Sequence, residues 1–235
     1  MDPAHGTITP TGLSRAAALA AVTAGLLFIA VQVAHPDVDI ALVTTAQWKV
    51  RQAVKVAMAT SALVGIAGIY LRQVRQAGIL GLAGFVLLEL GFLLMLVTEV
   101  VGLVLIPTIA ATAPGYVSDV LAVANGGTAV GDIGLMGPLS LLAGAGYVLG
   151  GVVFGIAVFR ARVLTRWAAA LLALATASSL LIPVLPEVNQ RLFAVPTGIA
   201  LVALGWSLWR DHRPVAPLAT ARTGSSPVLD PAGSR

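Results

Sequence analysis

Long apolar runs separated by short polar breaks make up this chain. Apolar residues fill positions 16–34, 54–71, 78–106, 137–159, 167–185 and 192–209 almost without interruption. A stretch of about 20 such residues, rising 1.5 Å each as a helix, spans the hydrocarbon of a bilayer. The pattern therefore predicts an all-α, polytopic transmembrane helical bundle of about six helices. The third run is the longest. It must tilt or project beyond the bilayer before Pro107 ends it.

The breaks have their own character. Residues 1–15, with Pro3, Gly6, Pro10 and Gly12, read as a polar N-terminal tail. Residues 107–136 form the least regular segment. Within them Pro114 opens a short helix, and Asn125-Gly126-Gly127 supplies its stop. Residues 210–235 turn to Pro, Thr, Ser, Gly and Arg and are expected to be disordered. The first run reads as a retained helix rather than a cleaved signal. It exceeds a signal h-region in length, and Gln32-Val33-Ala34-His35-Pro36 offers no small–x–small cleavage site.

Composition strengthens the membrane reading. Of 235 residues, 58% are hydrophobic and 10% charged, against about 25% charged in a soluble domain. A net charge of +4 raises the question of nucleic acid. That partner is rejected, because the basic residues fall in short clusters between apolar runs and form no basic face.

The clusters instead set an orientation. With the N-terminus inside, the cytoplasmic side holds Arg15, Arg72, Arg75, Arg160, Arg162, Arg166, Arg210, Arg213, Arg222 and Arg235. The outer side holds Lys49, Arg51, Lys55 and Arg191. Ten against four predicts both termini cytoplasmic and 107–136 outside. Trp48, Trp167, Trp206 and Trp209 lie near run ends, where an aromatic belt is expected. Arginine far outnumbers lysine, which occurs only at Lys49 and Lys55; with the heavy use of Ala, Gly, Val and Leu this points to a GC-rich bacterial genome and hence to a bacterial plasma membrane. Gly65-Ile66-Ala67 through Arg72 and Arg75 is similar to Gly155-Ile156-Ala157 through Arg162 and Arg166. Tight cytoplasmic turns share that shape, so the likeness reads as common turn chemistry rather than an internal repeat.

One arrangement carries a family likeness. A tail and a helix are followed by the segment from His35-Pro36 to Trp48. A helix ending Gly68-Ile69-Tyr70-Leu71-Arg72 comes next, then a helix with Gly78, Gly81 and Gly84. Over roughly the first half of the chain this resembles the small uncharacterised polytopic membrane proteins of actinobacteria. The resemblance implies a membrane location and no assigned activity.

Few residues can carry chemistry. Glu89 stands about 16 Å into the third run by helical rise, near the bilayer midplane. An ionisable group there costs about 2.5–3.5 kcal/mol on insertion scales and marks a functional site by default. One reading is a proton or cation site. The other is a protonated glutamic acid hydrogen-bonded to Thr60, Ser61, Thr176, Ser178, Ser179 or a backbone carbonyl across a helix interface. At the outer boundary Glu99, Lys55, Arg51 and Asp132 are expected to cluster. Lys55 there either pairs with Glu99, with Asp132 competing, or snorkels to lipid headgroups. Gly146/Gly150 and Gly151/Gly155 form two small–xxx–small pairs that allow close approach of another helix, from this chain, a second copy or a membrane partner.

The inventory excludes much else. With no cysteine, thiolate catalysis, Cys-ligated zinc, iron–sulfur clusters and c-type haem are ruled out. His5, His35 and His212 lie in tails or at a boundary, so no intramembrane histidine pair holds haem and no HExxH binds zinc. No catalytic, cofactor or metal residue is assigned. Three readings stand. The first is a non-catalytic membrane protein binding a lipid or protein partner. The second is a small proton- or cation-linked carrier or channel using Glu89. The third is a lipid-active enzyme with an outer-face site.

Overall fold

The computed structural model describes residues 9–32, 39–184 and 194–211. Among them the chain is helical: α1 (Pro10–Gln32), α2 (Ala46–Arg72), α3 (Val74–Ile109), α4 (Pro114–Ala124), α5 (Met136–Ala161), α6 (Arg166–Ser178), a 3₁₀ segment (Ser179–Val184) and α7 (Val195–Arg210). No strand occurs among the described residues. Four helices, α1, α2, α3 and α5, are long and apolar enough to cross a membrane, with 23, 27, 36 and 26 residues. That is the pattern of a membrane protein. Most of the two expected tails, 1–8 and 212–235, lies outside the described residues.

Several helix ends differ from the apolar runs, for local reasons. α1 starts at Pro10, not at residue 16. The Thr9 hydroxyl accepts from the Gly12 amide at 3.1 Å, and proline at the first helical position gives up no hydrogen bond. α2 starts at Ala46, eight residues before its apolar run, because Thr45 caps it through the Trp48 amide. Gln47, Lys49, Arg51 and Gln52 are helical without being apolar. Pro107 does not end α3, which continues to Ile109. The main part of α3 begins at Gly78, whose φ of 59° and ψ of −155° separate it from the turn Val74–Ala77. From residue 79 to 109 this helix measures about 46 Å, well beyond the roughly 30 Å of hydrocarbon. α4 ends as its Asn-Gly-Gly stop predicts, with Gly126 at φ 81° and the Gly127 amide donating to Ala122 O at 2.9 Å.

Packing joins the helices in a closed ring. α1 packs on α2, α2 on α3, α3 on α5, α5 on α6, α6 on α7, and α7 again on α1. Aromatic rings meet in its interior. Phe28 of α1 stacks on Tyr147 of α5 with centroids 6.2 Å apart, and Phe92 of α3 meets the same tyrosine edge-on at 6.0 Å. The Tyr147 hydroxyl is 2.8 Å from Thr197 Oγ1 of α7, so the buried phenol has a partner across the ring. A second apolar cluster sits at the end where α3 projects. Val43, Trp48, Ile106, Val117, Leu121 and Ile133 build it.

Glycines set the ring's tightest contacts. A Cβ at Gly146 would lie 2.8 Å from Gly91 Cα, and one at Gly150 would strike the backbone of Leu88. On the adjoining face, a Cβ at Gly151 would meet Thr176, and one at Gly155 would lie 2.8 Å from Ala169 O. α5 is thus notched for α3 on one side and for α6 on the other. All four glycines are buried. Helices α3 and α6 of the same chain pack into these notches.

Candidate functional site

Glu89 sits on α3 about 16 Å from the Gly78 break by helical rise. Its neighbours along the helix fix where it points. Gly84, Leu88 and Gly91 face α5. Phe85 stacks on Tyr70 of α2 at 4.4 Å, and Glu99 pairs with Lys55 of α2. Val86, Leu90, Leu93 and Val97 are exposed on the outer surface. At 100° per residue, Glu89 falls between the α2-facing side and that exposed stripe. It is half-buried, and its Oε1 is buried with no hydrogen-bond partner.

The expected hydroxyl partners are used elsewhere. Thr60 donates to Val56 O, Thr176 to Leu172 O, and Ser178 and Ser179 to Ala175 O. Each of these bonds returns to the residue's own helix or the one just before it. None of them, nor Ser61, bonds Glu89 Oε1. The expected hydroxyl partners of Glu89 are thus not bonded to its buried Oε1.

The four residues expected to cluster at the far end separate. Lys55 Nζ lies 3.4 Å from Glu99 Oε2, with both side chains largely covered. Asp132 does not compete, because its Oδ1 accepts the Gly134 amide at 2.8 Å within its own turn. Arg51 reaches the other way, with Nη1 3.4 Å from Val31 O at the end of α1. A desolvated pair predicts coupling. Lys55→Met and Glu99→Gln should each destabilise, and the double variant should cost less than their sum by about 1 kcal/mol. Additive melting shifts in detergent would leave Lys55 and Glu99 as independent groups.

Sequence reasoning missed three contacts. Arg72 Nε and Nη2 both approach Asp211 Oδ2, at 3.1 and 3.0 Å, tying the end of α2 to the end of α7. The signal available was Asp211 itself, an acid beside Arg210 on the basic side. Trp48, expected in an interfacial belt, is buried, and its Nε1 donates to Gly102 O at 2.8 Å. Trp167 and Trp206 are exposed as a belt requires. The third contact is the Tyr147–Thr197 pair, which no spacing rule brings together.

Near α4, Asp119 accepts the amides of Val130 at 3.0 Å and Gly131 at 2.8 Å. These two bonds hold its carboxyl below the usual aspartate range. Asp119 thus staples the loop after α4. Among the described residues no group of three or more His, Asp or Glu side chains is placed to hold a metal ion. The chain matches no protein-family model, no curated protein and no solved structure.

Proposed function

We propose that this chain is a six-span protein of a bacterial plasma membrane, of the actinobacterial kind its sequence resembles, that binds a lipid or protein partner without catalysis. The partner meets it along the α2–α3 flank, at Glu89. The observation that carries this reading is the buried, unpartnered Oε1 of Glu89 at the edge of an exposed apolar stripe. A polar atom without a partner in an apolar setting is costly, and a donor arriving from the bilayer would relieve that cost.

Six crossings are supported by the position of α6 and α7 in the ring, and by length for α6 alone, against roughly 30 Å of hydrocarbon. α6 with its 3₁₀ extension rises about 31 Å, and α7 about 24 Å. Both pack between the long helices α5 and α1. Orientation is supported by the Arg15, Arg72, Arg75, Arg160, Arg162, Arg166 and Arg210 end against the Lys49, Arg51 and Lys55 end. Both termini are then cytoplasmic, and α4 lies outside. Since the chain has no native cysteine, a cysteine introduced at Val130, which is 98% exposed in the segment after α4, should react with an impermeant maleimide only from outside the cell. Labelling only from the cytoplasmic side would overturn the topology.

The binding test is native mass spectrometry of protein released from membranes, wild type against Glu89→Leu. The wild type should retain a companion lipid or protein that Glu89→Leu loses, with equal melting temperatures for the two. A wild type that carries no companion would count against this function. The carrier reading draws on the same carboxyl. Proton or cation flux in proteoliposomes that Glu89→Gln abolishes would favour it instead. The aromatic interior weighs against it, since Phe28, Phe92 and Tyr147 occupy the ring centre and Glu89 lies to one side. An outer-face enzyme is less supported, because Glu99, Asp119 and Asp132 each bond a different part of that end.

A further inference from the structure

The arginines at the end shared by α1's start and α7's finish are not equivalent. Arg72 is paired with Asp211. Arg15 lies over the Trp209 ring at 5.6 Å, and Arg166 over the Phe159 ring at 4.1 Å. Arg75, Arg160, Arg162 and Arg210 are exposed, and no described acid or ring engages them. Arg210 ends α7, whereas Arg75 lies in the turn that begins α3, and Arg160 and Arg162 lie in the last turn and at the C-cap of α5. Helices α3 and α5 run antiparallel, with Gly91 on Gly146, Leu88 on Gly150 and Gly84 on Phe154. Continuing that register brings Arg160 level with Gly78, beside the turn that carries Arg75.

The α5–α6 turn is also fixed in shape. Leu164 is buried, the Thr165 amide donates to Ser207 Oγ of α7 at 3.0 Å, and Arg162 closes α5 in the left-handed region at φ 56°. Charges that merely orient a chain need no rigid mounting. Here a fixed turn carries the exposed Arg162, five residues before Trp167, which is 58% exposed; aromatic residues of that kind favour the headgroup level.

From this arrangement we propose that Arg75, Arg160 and Arg162 form a binding site for the phosphodiester headgroup of an anionic lipid, at the end of the α3–α5 pair. Charge complementarity selects the occupant. Guanidinium forks match phosphate oxygens in bidentate fashion, and the neighbouring surface of α3, with Ile79 and Leu82 exposed, suits the acyl chains. The inference is independent of Glu89. The proposed orientation decides only that the lipid belongs to the cytoplasmic leaflet.

The test uses the full chain in phosphatidylcholine nanodiscs containing a small fraction of phosphatidylglycerol, with retained lipid counted by native mass spectrometry. The wild type should retain phosphatidylglycerol over phosphatidylcholine. Each neutralised arginine should weaken retention by about fivefold, and Arg75→Gln/Arg160→Gln/Arg162→Gln by about a hundredfold. Arg210→Gln removes the same charge from the same end and should leave retention unchanged. If the triple variant does not fold, Arg160→Gln alone carries the fivefold test. Equal losses from Arg210→Gln and Arg160→Gln would mean diffuse attraction and overturn the site. Competition by free glycerol phosphate at concentrations matching the lipid would also overturn it, since the site would then read phosphate alone.

Discussion

Gly150→Leu is expected to destroy the folded state in detergent, while Leu149→Ala leaves the melting temperature nearly unchanged. The two positions are adjacent on α5 and point about 100° apart, one to the outer surface and one to α3. Leu149 is 57% exposed and supports no core contact of note, so its truncation should fall within about 0.5 kcal/mol. Gly150 faces α3, where even a Cβ would lie 2.7 Å from Leu87 C and closer still to Leu88. Those neighbours are backbone atoms, which cannot rotate away. Relief requires moving the whole helix, and α3 is held in turn by Gly84 on Phe154 and Gly91 on Tyr147. The cost should reach or exceed the upper end of the about 1–3 kcal/mol typical of overpacking. Similar melting temperatures for the two variants would show that the α3–α5 contact is loose.

Asp211→Asn should be the most damaging single change at the opposite end from α4. The Arg72 and Asp211 side chains are 13% and 9% exposed. Taking away the carboxylate leaves a covered guanidinium without its counter-charge, which costs about 3 kcal/mol or more. Replacing both residues removes that stranded charge. Arg72→Met/Asp211→Asn should therefore be more stable than Asp211→Asn alone. A double variant at or below the single one would mean that water already screens the pair. The same comparison at Lys55–Glu99 should give a smaller effect, since that pair is longer and less covered.

Hydropathy located the ring helices because a bilayer demands long unbroken apolar runs, and each of the six runs overlaps a helix. It misplaced ends wherever a helix continues past its apolar residues. Gln47, Lys49, Arg51 and Gln52 extend α2 with polar residues, the first two exposed and Gln52 buried, and composition reads such turns as loop. Pro107 misled for another reason. A proline near the end of a long helix forfeits one internal bond, and the chain continues for two further residues. The position of Glu89 along α3 was legible from counting rise along one run. Its lack of a partner was not, because that depends on which helix stands beside α3 and what its facing side chains are. Lys55 and Glu99 were brought within reach by their matching depths, whereas Arg72 and Asp211 meet only because α2 and α7 end together. The notches at Gly146, Gly150, Gly151 and Gly155 were visible as spacing. That α3 and α6 fill them is knowledge of the ring order, which no single run contains.

Closure of the ring has a consequence for chain connectivity. α7 packs on α1 as the other neighbours pack on each other, and the Arg15–Trp209 contact sets the beginning of one beside the end of the other. The helix order around the ring therefore has no seam that packing can detect. A short linker from residue 211 back to residue 9, with new ends opened at Gly126–Gly127, preserves every interface between ring helices. What such a permutant changes is the order of insertion, with α5 entering the membrane first and α3 last. The ring's architecture belongs to its contacts, and the order in which a ribosome delivers the helices is a separate property of the gene.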